Sequence, residues 1–337
     1  MKKILLIANS SWNIYNFRKE LINLIIEKKY KLLISCPDGK YIDKLRNYNL
    51  DYLPIYYNRH SINIIENIKI IYFYLKKIYS EKPSVIITYT IKPNIFFNLS
   101  ALISLRKLKI LNFITGIGNI YFEKKIKKII IFILYKIALL KSDKVIFQNV
   151  YDMQYFVKKK LVNKSKCVLI QGSGINTKLF KYKPLRKNTN SDLVFLCISR
   201  LILHKGINEY IKAAIMVKKK YPKTKFILVG SIDKEYQYKI NQNLLSQSKS
   251  YIEHLEFTND IIKLLESCDC FILPSYREGT SRSLLEAASV GRPIITSDVP
   301  GCNNIVIDNF NGYLCKPMDE ISLYENINKM INTSPEM

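Results

Sequence analysis

Short apolar runs rich in Ile, Leu and Val recur along this chain, and longer segments with helical periodicity separate them. Strands buried on both faces of a parallel sheet read as near-continuous apolar runs, and helices form their crossovers. The pattern therefore predicts parallel sheets covered by helices on both faces. The first series of predicted strands covers residues 3–9, 31–36, 52–57, 85–89, 109–115, 144–149 and 166–171. The second series covers residues 193–198, 225–229, 250–257, 270–274, 293–297 and 312–315.

The helical patterns fall between these runs in both halves of the chain. In the first half they lie near 15–28, 62–80, 93–105, 124–141 and 150–160. In the second half they lie near 205–220, 234–247, 260–267, 282–290 and 320–332. Residues 173–191 lack periodicity, carry Pro184 and many Lys and Asn, and are predicted to be a linker. We predict two doubly wound, Rossmann-like domains, 1–175 and 190–337, with ligands in a cleft at the carboxyl ends of the strands.

The charge of the chain indicates an anionic partner. Lys and Arg number 53 against 27 Asp and Glu, which gives a formal net charge of +26. Nucleic acid, acidic lipid or a phosphate-bearing substrate would all fit. Lys is spread through every segment without a recognisable nucleic-acid-reading module, which disfavours a nucleic-acid partner. Basic residues border apolar helical patterns at 124–136 and 68–79, which favours an anionic membrane surface, although the sheet is expected to cover most of 129–140.

The cysteines and the hydropathy of the chain restrict its compartment. Seven cysteines form no disulfide framework, and most lie in apolar runs, so buried free thiols in a reducing cytoplasm are expected. Cys268 and Cys270 lack further ligands at zinc spacing, so no metal site is expected. The apolar start ends at Asn9, and no apolar run reaches the roughly 18 residues of a spanning helix. We expect a cytoplasmic chain that is neither exported nor transmembrane.

The most informative stretch is 273–287, which runs from a buried strand through a loop into a helix. A helix start presents unsatisfied backbone N–H groups, so it favours phosphate, and Ser281 or Ser283 would cap it. Glu278 lies in the loop and Glu286 about two turns into the helix, where carboxylates can bind the paired hydroxyls of a ribose or a hexose. The structural alternative makes Glu278 a partner of the helix dipole and Glu286 a solvated helix residue.

A second group of charged residues follows the first strand of the second domain, in 198–206. Arg200 and Lys205 lie five residues apart in a loop between a strand and a helix, where they can converge on a diphosphate. In a chain this basic, a pair of solvated charges is the alternative. The residues alone do not decide between the two.

The spacing of Glu278 and Glu286, with seven residues between them, resembles the motif of glycosyltransferase family 4. Segments 291–302 and 311–314 match the same family, and the resemblance extends from about residue 2 to about residue 332. It implies the GT-B fold, with two Rossmann-like domains facing across a cleft, and retaining transfer of a sugar from a UDP-sugar. It assigns Glu278 to the donor sugar, Glu286 to the ribose, and Arg200 and Lys205 to the diphosphate. The remaining donor-binding residues by this resemblance are Gly230, Gly279, Thr280 and Ser281.

Weaker signals in the first domain resemble the acceptor side of capsule and O-antigen transferases. They lie in 11–18, 90–94 and 115–119. The last has Gly116 and Gly118 but Tyr121 where a dinucleotide-binding loop needs its third glycine, so a Rossmann cofactor site is not expected. Many family members have His-Gly where this chain has Thr115-Gly116. The acceptor-binding residues implied by the resemblance are Asn13, Asn16, Lys92, Thr115 and Gly116.

The resemblance implies a metal-independent enzyme without a cofactor. We expect it to transfer an N-acetylhexosamine from a UDP-sugar to a polyprenyl-diphosphate-linked saccharide, peripherally on the inner face of the cytoplasmic membrane. Family members usually end in a helix that crosses back to the first domain, and that helix is expected to be missing here. The alternatives are a truncated nucleotide-binding relative without turnover, a UDP-sugar epimerase of the same fold, and a basic nucleic-acid-binding protein.

Overall fold

The computed structural model describes residues 2–48, 50–58, 61, 63–185, 193–233, 236, 238–256, 258 and 260–333. The chain divides into two compact units, Met1–Gln171 and Gly172–Met337. Each unit has its own hydrophobic core and its own sheet.

The described residues of the first unit form a parallel sheet of seven strands. These are β1 (Lys3–Ile7), β2 (Lys31–Cys36), β3 (Asp51–Pro54), β4 (Val85–Tyr89), β5 (Lys109–Ile114), β6 (Lys144–Phe147) and β7 (Cys167–Leu169). The helices are α1 (Ser11–Phe17), α2 (Lys19–Glu27), α3 (Ile42–Arg46), α4 (Ile64–Glu81), α5 (Asn98–Ile103), α6 (Gly118–Phe122), α7 (Lys125–Ala138) and α8 (Val150–Lys158). Single turns of other helix types are Pro93–Phe97 (π), Leu139–Lys141 and Lys164–Lys166 (both 3₁₀).

The strands of the first unit follow the order β3-β2-β1-β4-β5-β6-β7, so the winding direction reverses between β1 and β4. Ligands of doubly wound folds bind at the carboxyl edge of the sheet, beside such a reversal. Helices α1, α2 and α3 bury Ile14, Ile22 and Leu45 on one face of the sheet. Helices α4 and α7 bury Tyr74 and Tyr135 on the other face.

A buried polar network fixes the chain beyond β4. The predicted helix 93–105 begins instead as the π-turn Pro93–Phe97 and becomes α5 only at Asn98. The Asn98 side chain donates to the Oδ1 of Asn112 (3.0 Å), the hydroxyl of Ser142 (3.0 Å) and the carbonyl of Ala138 (3.2 Å). Asn112 in turn donates to the hydroxyl of Thr88 at 2.6 Å. Each polar group gains a partner, so the network orients the turn without an unpaired buried group.

The described residues of the second unit form a six-stranded parallel sheet. Its strands are β8 (Val194–Ile198), β9 (Lys225–Val229), β10 (Glu253–Leu255), β11 (Cys270–Leu273), β12 (Ile294–Ser297) and β13 (Gly312–Cys315). Its helices are α9 (Ile207–Lys220), α10 (Gln242–Gln247), α11 (Ile261–Ser267), α12 (Arg282–Val290) and α13 (Glu320–Asn332), with 3₁₀ turns at Leu203–Lys205 and Ser248–Ser250. The strand order is β10-β9-β8-β11-β12-β13, which reverses between β8 and β11.

The described part of the predicted linker packs on the second unit. Phe180 is buried in its core, and the backbone N–H of Lys183 donates to the carbonyl of Val290 at 3.0 Å. Residues 186–191 of that prediction lie outside the described residues. The apolar side chains of Ile175 and Phe180 attach this stretch to the core of the second unit.

The predicted α/β class with two doubly wound, Rossmann-like sheets is confirmed. The helix predicted at 15–28 begins earlier, because Ser10 caps α1 by accepting a hydrogen bond from the backbone N–H of Asn13. The short helices α3 and α6 were not predicted, since five residues are too few to show periodicity. All seven cysteines are free thiols, and all but Cys167 are buried. Among the helices of the described ranges, none is both long and apolar enough to cross a membrane.

Candidate functional site

The residues predicted to bind a nucleotide lie where the second sheet reverses its winding. Arg200 and Lys205 follow β8, and Glu278 to Ser281 follow β11, which pairs with β8 in parallel. The carboxyl ends of neighbouring parallel strands meet at one edge of a sheet, and ligands of doubly wound folds bind at such a reversal. The fold therefore brings the two charged motifs together from positions more than seventy residues apart in sequence.

Lys205 and Glu278 form an ion pair at this edge. The Nζ of Lys205 donates to the Oε1 of Glu278, and the hydroxyl of Ser275 donates to the same oxygen at 2.7 Å. The two charged side chains are only 19% and 14% exposed. They are therefore held by one another rather than solvated, which contradicts the structural alternative for Lys205.

Two glycines allow the loops of this site to approach each other closely. Gly206 has φ +69°, and a Cβ there would lie 2.0 Å from the carbonyl oxygen of Pro274. Gly301 has φ +82°, and a Cβ there would lie 2.4 Å from the carbonyl oxygen of Glu278. No L side chain fits either position, since the obstructing atoms are backbone and the conformation is left-handed. The Lys205 turn and the Glu278 loop thus depend on these glycines for their positions.

Arg200 has an acidic partner of its own. One of its terminal nitrogens lies 3.2 Å from the Oδ2 of Asp233, and its guanidinium carbon lies 6.0 Å from the ring centroid of Tyr236. Asp233 is almost fully buried, whereas the Arg200 side chain is about half exposed. An arginine anchored on one side and open on the other keeps further N–H donors available for an anion.

Helix α12 presents its amino end beside Glu278. Ser281 occupies the capping position, but within the described residues neither Ser281 nor Ser283 accepts from the first-turn N–H groups. The Nε of Arg282 donates to the Oε1 of Glu286 at 2.9 Å, one turn further along. Burial raises the pKa of Glu286, and the hydrogen bond and charge of Arg282 partly offset it. Glu286 is thus a largely buried carboxylate, not a solvated helix residue.

Aromatic residues support the turn that carries Lys205. The Nδ1 of His204 lies 3.0 Å from the hydroxyl of Tyr236, and the ring of Tyr238 packs against the imidazole. The backbone N–H of Tyr276 donates to the His204 carbonyl at 2.9 Å. This bond joins the turn after β8 to the loop after β11. The imidazole of His204 is therefore packed and hydrogen-bonded, which supports a structural role for this residue.

The other predicted donor residues line the same edge. Gly230 follows β9, and its N–H donates to the Leu255 carbonyl at 2.8 Å. Gly279 and Thr280 lie between Glu278 and α12, and the Thr280 hydroxyl donates to the Gly279 carbonyl at 3.0 Å. Their positions at the carboxyl edge are as expected, and their roles in binding a donor stay predictions.

Polar residues also collect at the reversal point of the first sheet, after β1. Within the described ranges, the buried Oδ1 of Asn13 has no hydrogen-bond partner. Asn16 donates to the Trp12 carbonyl at 3.0 Å and so lies against its own helix. Arg18 is buried and packs on the ring of Tyr89, 3.8 Å from its centroid. A buried acceptor without a partner costs free energy, so Asn13 is the stronger ligand candidate of the two asparagines.

The loop after β4 carries a second buried polar group without a hydrogen-bond partner among the described residues. Thr90 adopts φ +71°, which is unusual for a β-branched residue, and its buried hydroxyl lacks a partner among the described residues. Lys92 donates to the carbonyl of Asn58 at 2.7 Å and lies 3.3 Å from Glu66. Burial lowers the pKa of Lys92, and Glu66 partly restores it. The predicted acceptor residue Lys92 is therefore already paired, whereas its neighbour Thr90 is not.

Thr115 and Gly116 follow β5, one strand away from the reversal between β1 and β4. Gly116 has φ +114°, and the N–H of Ile117 donates to the buried carboxylate of Asp152 at 3.2 Å. Asp152 also receives the side-chain N–H of Asn149 at 3.2 Å. The turn is therefore rigidly held, and the acceptor role of Thr115 and Gly116 stays a prediction.

Several residues of these sites were not predicted from the sequence. Ser275, Asp233 and Arg282 each hold a predicted residue in place, but they differ from ordinary loop and helix residues only through their contacts. An open pocket at β3, lined by Asp38, Tyr52 and Tyr56 among others, was also missed. Asp38 accepts from both tyrosine hydroxyls, at 2.6 and 2.7 Å.

We predict that Gly206→Ala destabilises the protein by about 3 kcal/mol, because left-handed strain adds to a collision with the Pro274 carbonyl. Gly174→Ala is the matched control, since Gly174 has φ +68° but no atom within 4 Å of a Cβ. Gly174→Ala should lower the free energy of unfolding by about 1 kcal/mol, because only the left-handed backbone strain is added. Urea unfolding measures both changes. Equal losses in the two variants would contradict the close approach at Gly206.

Glu286 and Glu320 should affect the pH dependence of stability in opposite directions. The hydrogen bond from Lys212 lowers the pKa of Glu320 below 4.5, whereas burial raises that of Glu286 above it. The folded state therefore holds the Glu286 proton more tightly than the unfolded state, so stability falls as pH rises above about 4.5. For Glu320 stability falls as pH drops below about 4.5.

Glu286→Gln should remove the loss of stability that Glu286 causes at higher pH. Glu320→Gln should remove the loss of stability that Glu320 causes at lower pH. Free energies of unfolding in urea, measured from acid to neutral pH, give both slopes. If both substitutions changed the pH dependence of the unfolding free energy in the same direction, the opposite pKa shifts of Glu286 and Glu320 would be contradicted.

Two family models match the chain. Residues 3–149 match the model described as "Glycosyl transferase 4-like", and residues 181–337 match "Glycosyl transferases group 1". Together the two models span nearly the whole of the chain, with the division between the two units lying between them.

Related proteins agree with these models. An N,N'-diacetylbacillosaminyl-diphospho-undecaprenol alpha-1,3-N-acetylgalactosaminyltransferase of Campylobacter jejuni is 28% identical over 96% of this chain and 88% of its own length. A UDP-Gal:alpha-D-GlcNAc-diphosphoundecaprenol alpha-1,3-galactosyltransferase of Escherichia coli is 34% identical, over 43% of this chain and 38% of its own.

Solved structures show the same architecture. Anabaena Alr3699/HepE, crystallised with UDP and glucose, has a TM-score of 0.74 at 18% identity, covering 98% of this chain and 90% of its own. A glycosyltransferase of Rickettsia africae has a TM-score of 0.76 at 17% identity, covering 98% and 88%. Likeness at this identity establishes the fold. With both family models, it shows that the chain belongs to the GT-B glycosyltransferases of the family 4-like kind.

Proposed function

We propose that the protein transfers a sugar, an N-acetylhexosamine, from a UDP-sugar to a polyprenyl-diphosphate-linked saccharide with retention of anomeric configuration. This makes it a hexosyltransferase of glycosyltransferase family 4. The observation that carries the proposal is the Lys205–Glu278 pair at the reversal point of the second sheet. Arg200 and the amino end of α12 lie at the same carboxyl edge.

The charges at this edge suit a nucleoside diphosphate sugar. Lys205 and Arg200 supply cationic N–H donors for the diphosphate, and the first turn of α12 supplies backbone N–H groups. In this proposal Glu278 accepts from hydroxyls of the donor sugar, and Glu286 accepts from hydroxyls of the ribose. A carboxylate that is already desolvated, as Glu286 is, gains more from a pair of hydroxyl donors than one in water.

We propose a front-face transfer at the anomeric carbon. The bond from the anomeric carbon to the departing phosphate oxygen breaks, and the acceptor hydroxyl oxygen bonds to that carbon from the same face. The hydroxyl proton passes to the departing phosphate, so UDP leaves and the configuration is kept. Negative charge grows on the diphosphate as the bond breaks, and Lys205 and Arg200 stabilise it. In this proposal they do the work of a metal ion, and no cofactor takes part.

The acceptor side of the proposal is supported by the first unit and by the relatives. The Oδ1 of Asn13 and the hydroxyl of Thr90, which have no hydrogen-bond partner among the described residues, lie beyond β1 and β4. These two strands border the reversal of that sheet. The named relatives from Campylobacter and Escherichia act on undecaprenol-diphosphate sugars. An acceptor on a polyprenyl anchor lies at a membrane, so we place the enzyme peripherally on the inner face of the cytoplasmic membrane.

The test is UDP release by the purified protein across a panel of UDP-sugars, with and without a lipid-linked saccharide acceptor. Release should require the acceptor and persist in EDTA. Lys205→Ala should lower the rate about 100-fold, as expected for the loss of one preorganised charge at the departing group. Glu286→Ala should raise the KM for the donor. Lys212→Ala, which removes an exposed lysine of the same unit paired with Glu320, is the control and should retain the wild-type rate.

Other outcomes would assign the protein differently. UDP binding without release would indicate a binding protein without turnover, and conversion of the UDP-sugar without acceptor would indicate an epimerase. Wild-type activity in Lys205→Ala would contradict the proposed site. An NMR coupling constant of the product that shows inversion would contradict the front-face transfer.

A further inference from the structure

Helix α7 of the first unit carries a row of exposed isoleucines. Ile126, Ile129, Ile130, Ile133 and Ile137 have exposed fractions from 43% to 75%. Their spacing of three and four residues places them on one side of a helix with about 3.6 residues per turn. Tyr135 and Ala138 on the opposite side are buried in the core. We call these five isoleucines the α7 stripe.

Lysines border the α7 stripe on both sides. On a regular helix Lys125 and Lys136 fall along one side of the stripe and Lys127 along the other. Lys124 precedes the helix, Lys141 follows it, and α7 contains no Asp or Glu. Lys127 pairs with Glu123 just before the helix, at 2.8 Å, so the cationic border consists mainly of the other lysines. The sequence interpretation expected the sheet to cover most of 129–140, but the structure buries only one side of the helix. An apolar strip with a cationic border is the composition of helices that lie in a membrane interface.

Other parts of the first unit also expose apolar side chains. Helices α4 and α7 pack on the same side of the first sheet, and both contribute to one core. On α4 the side chains of Ile68 and Tyr72 are exposed, and Leu105 is exposed just beyond α5. The five isoleucines of the α7 stripe lie together on one side of a helix, which differs from the singly scattered apolar residues of ordinary protein surfaces.

The charges favour lipid over other occupants. A second copy of this chain, related by twofold symmetry, would bring the lysines of one α7 against those of the other. Isoleucine side chains offer neither stacking nor hydrogen bonds to a nucleic acid. At 14 residues, α7 is also too short to cross a bilayer, for which roughly 20 residues are needed. An anionic lipid surface satisfies both the apolar stripe and its cationic border.

We propose that α7 docks the first unit on an anionic lipid surface, with the α7 stripe in the acyl boundary and the lysines at the headgroups. This inference rests on the proposed function for its purpose, since docking brings the first unit to an acceptor anchored in the same surface. The docking itself requires no sugar donor or acceptor. It can therefore be tested separately from transfer.

The test is co-sedimentation with vesicles of phosphatidylcholine alone, or mixed with phosphatidylglycerol in a two-to-one ratio. The wild-type protein should bind the mixed vesicles at least about tenfold more tightly, and salt should weaken the binding. Ile130→Glu/Ile133→Glu should lower the partition coefficient by about tenfold or more, because charges enter the acyl boundary. Replacing Lys124, Lys125 and Lys136 with Gln should lower it about 100-fold and reduce the salt dependence.

A control variant has the same change in chemistry and charge elsewhere. Ile307→Glu/Phe310→Glu replaces two exposed apolar side chains of the second unit and should bind vesicles like the wild type. All three variants change exposed side chains, so each should keep its melting temperature and its stabilisation by UDP. Transfer to a water-soluble, short-chain acceptor should also be unchanged, whereas transfer to an acceptor embedded in mixed vesicles should fall with binding.

Wild-type protein that leaves mixed vesicles unbound would overturn the docking inference, as would vesicle binding that Ile130→Glu/Ile133→Glu leaves intact. A dimer in solution that this variant dissociates, without vesicle binding, would assign the stripe to a second copy instead. Vesicle binding in a protein that transfers no sugar would leave docking standing and overturn the proposed function alone.

Discussion

The parallel pairing of β8 with β11 is the constraint on which the candidate donor site depends. It places the carboxyl ends of two strands side by side at the point where the sheet reverses. Two loops then have to share one small region, and each carries a charge of opposite sign, Lys205 and Glu278. Gly206 and Gly301 make the approach possible, since any Cβ at either position would meet backbone atoms. The ion pair therefore depends both on the strand pairing and on the two glycines.

In this arrangement each charge that would face a nucleotide already has a protein partner. Lys205 is held by Glu278, Arg200 by Asp233, and Glu286 by Arg282. The largely buried charges, Lys205, Glu278 and Glu286, need such partners, because an unpaired buried charge would cost several kcal/mol. Binding a diphosphate would substitute phosphate oxygens for Glu278 at Lys205. Glu278 would then be released to accept sugar hydroxyls, which couples recognition of the two parts of the donor.

The sequence predicted the fold well because its signals were strong and local. Apolar runs marked the strands, and β8 and β11 differ from their predictions by one residue at an end. The motif positions of Glu278 and Glu286 were also visible, because a family resemblance depends on spacing. The sequence did not predict which charged side chains pair with each other. Asp233 and Arg200 are 33 residues apart, and the periodicity of the sequence carries no information about their contact. The sequence interpretation expected most of α7 to be covered, and the exposure of the α7 stripe shows that this was wrong. The apolar periodicity of a helix is the same whether protein covers one of its sides or both.

We propose that the ion pair of Lys205 and Glu278 marks the donor site in its ligand-free form. A crystal structure of the protein with UDP tests it most directly. We expect the diphosphate at the carboxyl ends of β8 and β11. The Nζ of Lys205 should have moved from Glu278 to a phosphate oxygen, and the Arg200 guanidinium should contact the same diphosphate. UDP bound at another edge of the sheet, or a Lys205 that stays on Glu278 while the diphosphate is bound elsewhere, would contradict it.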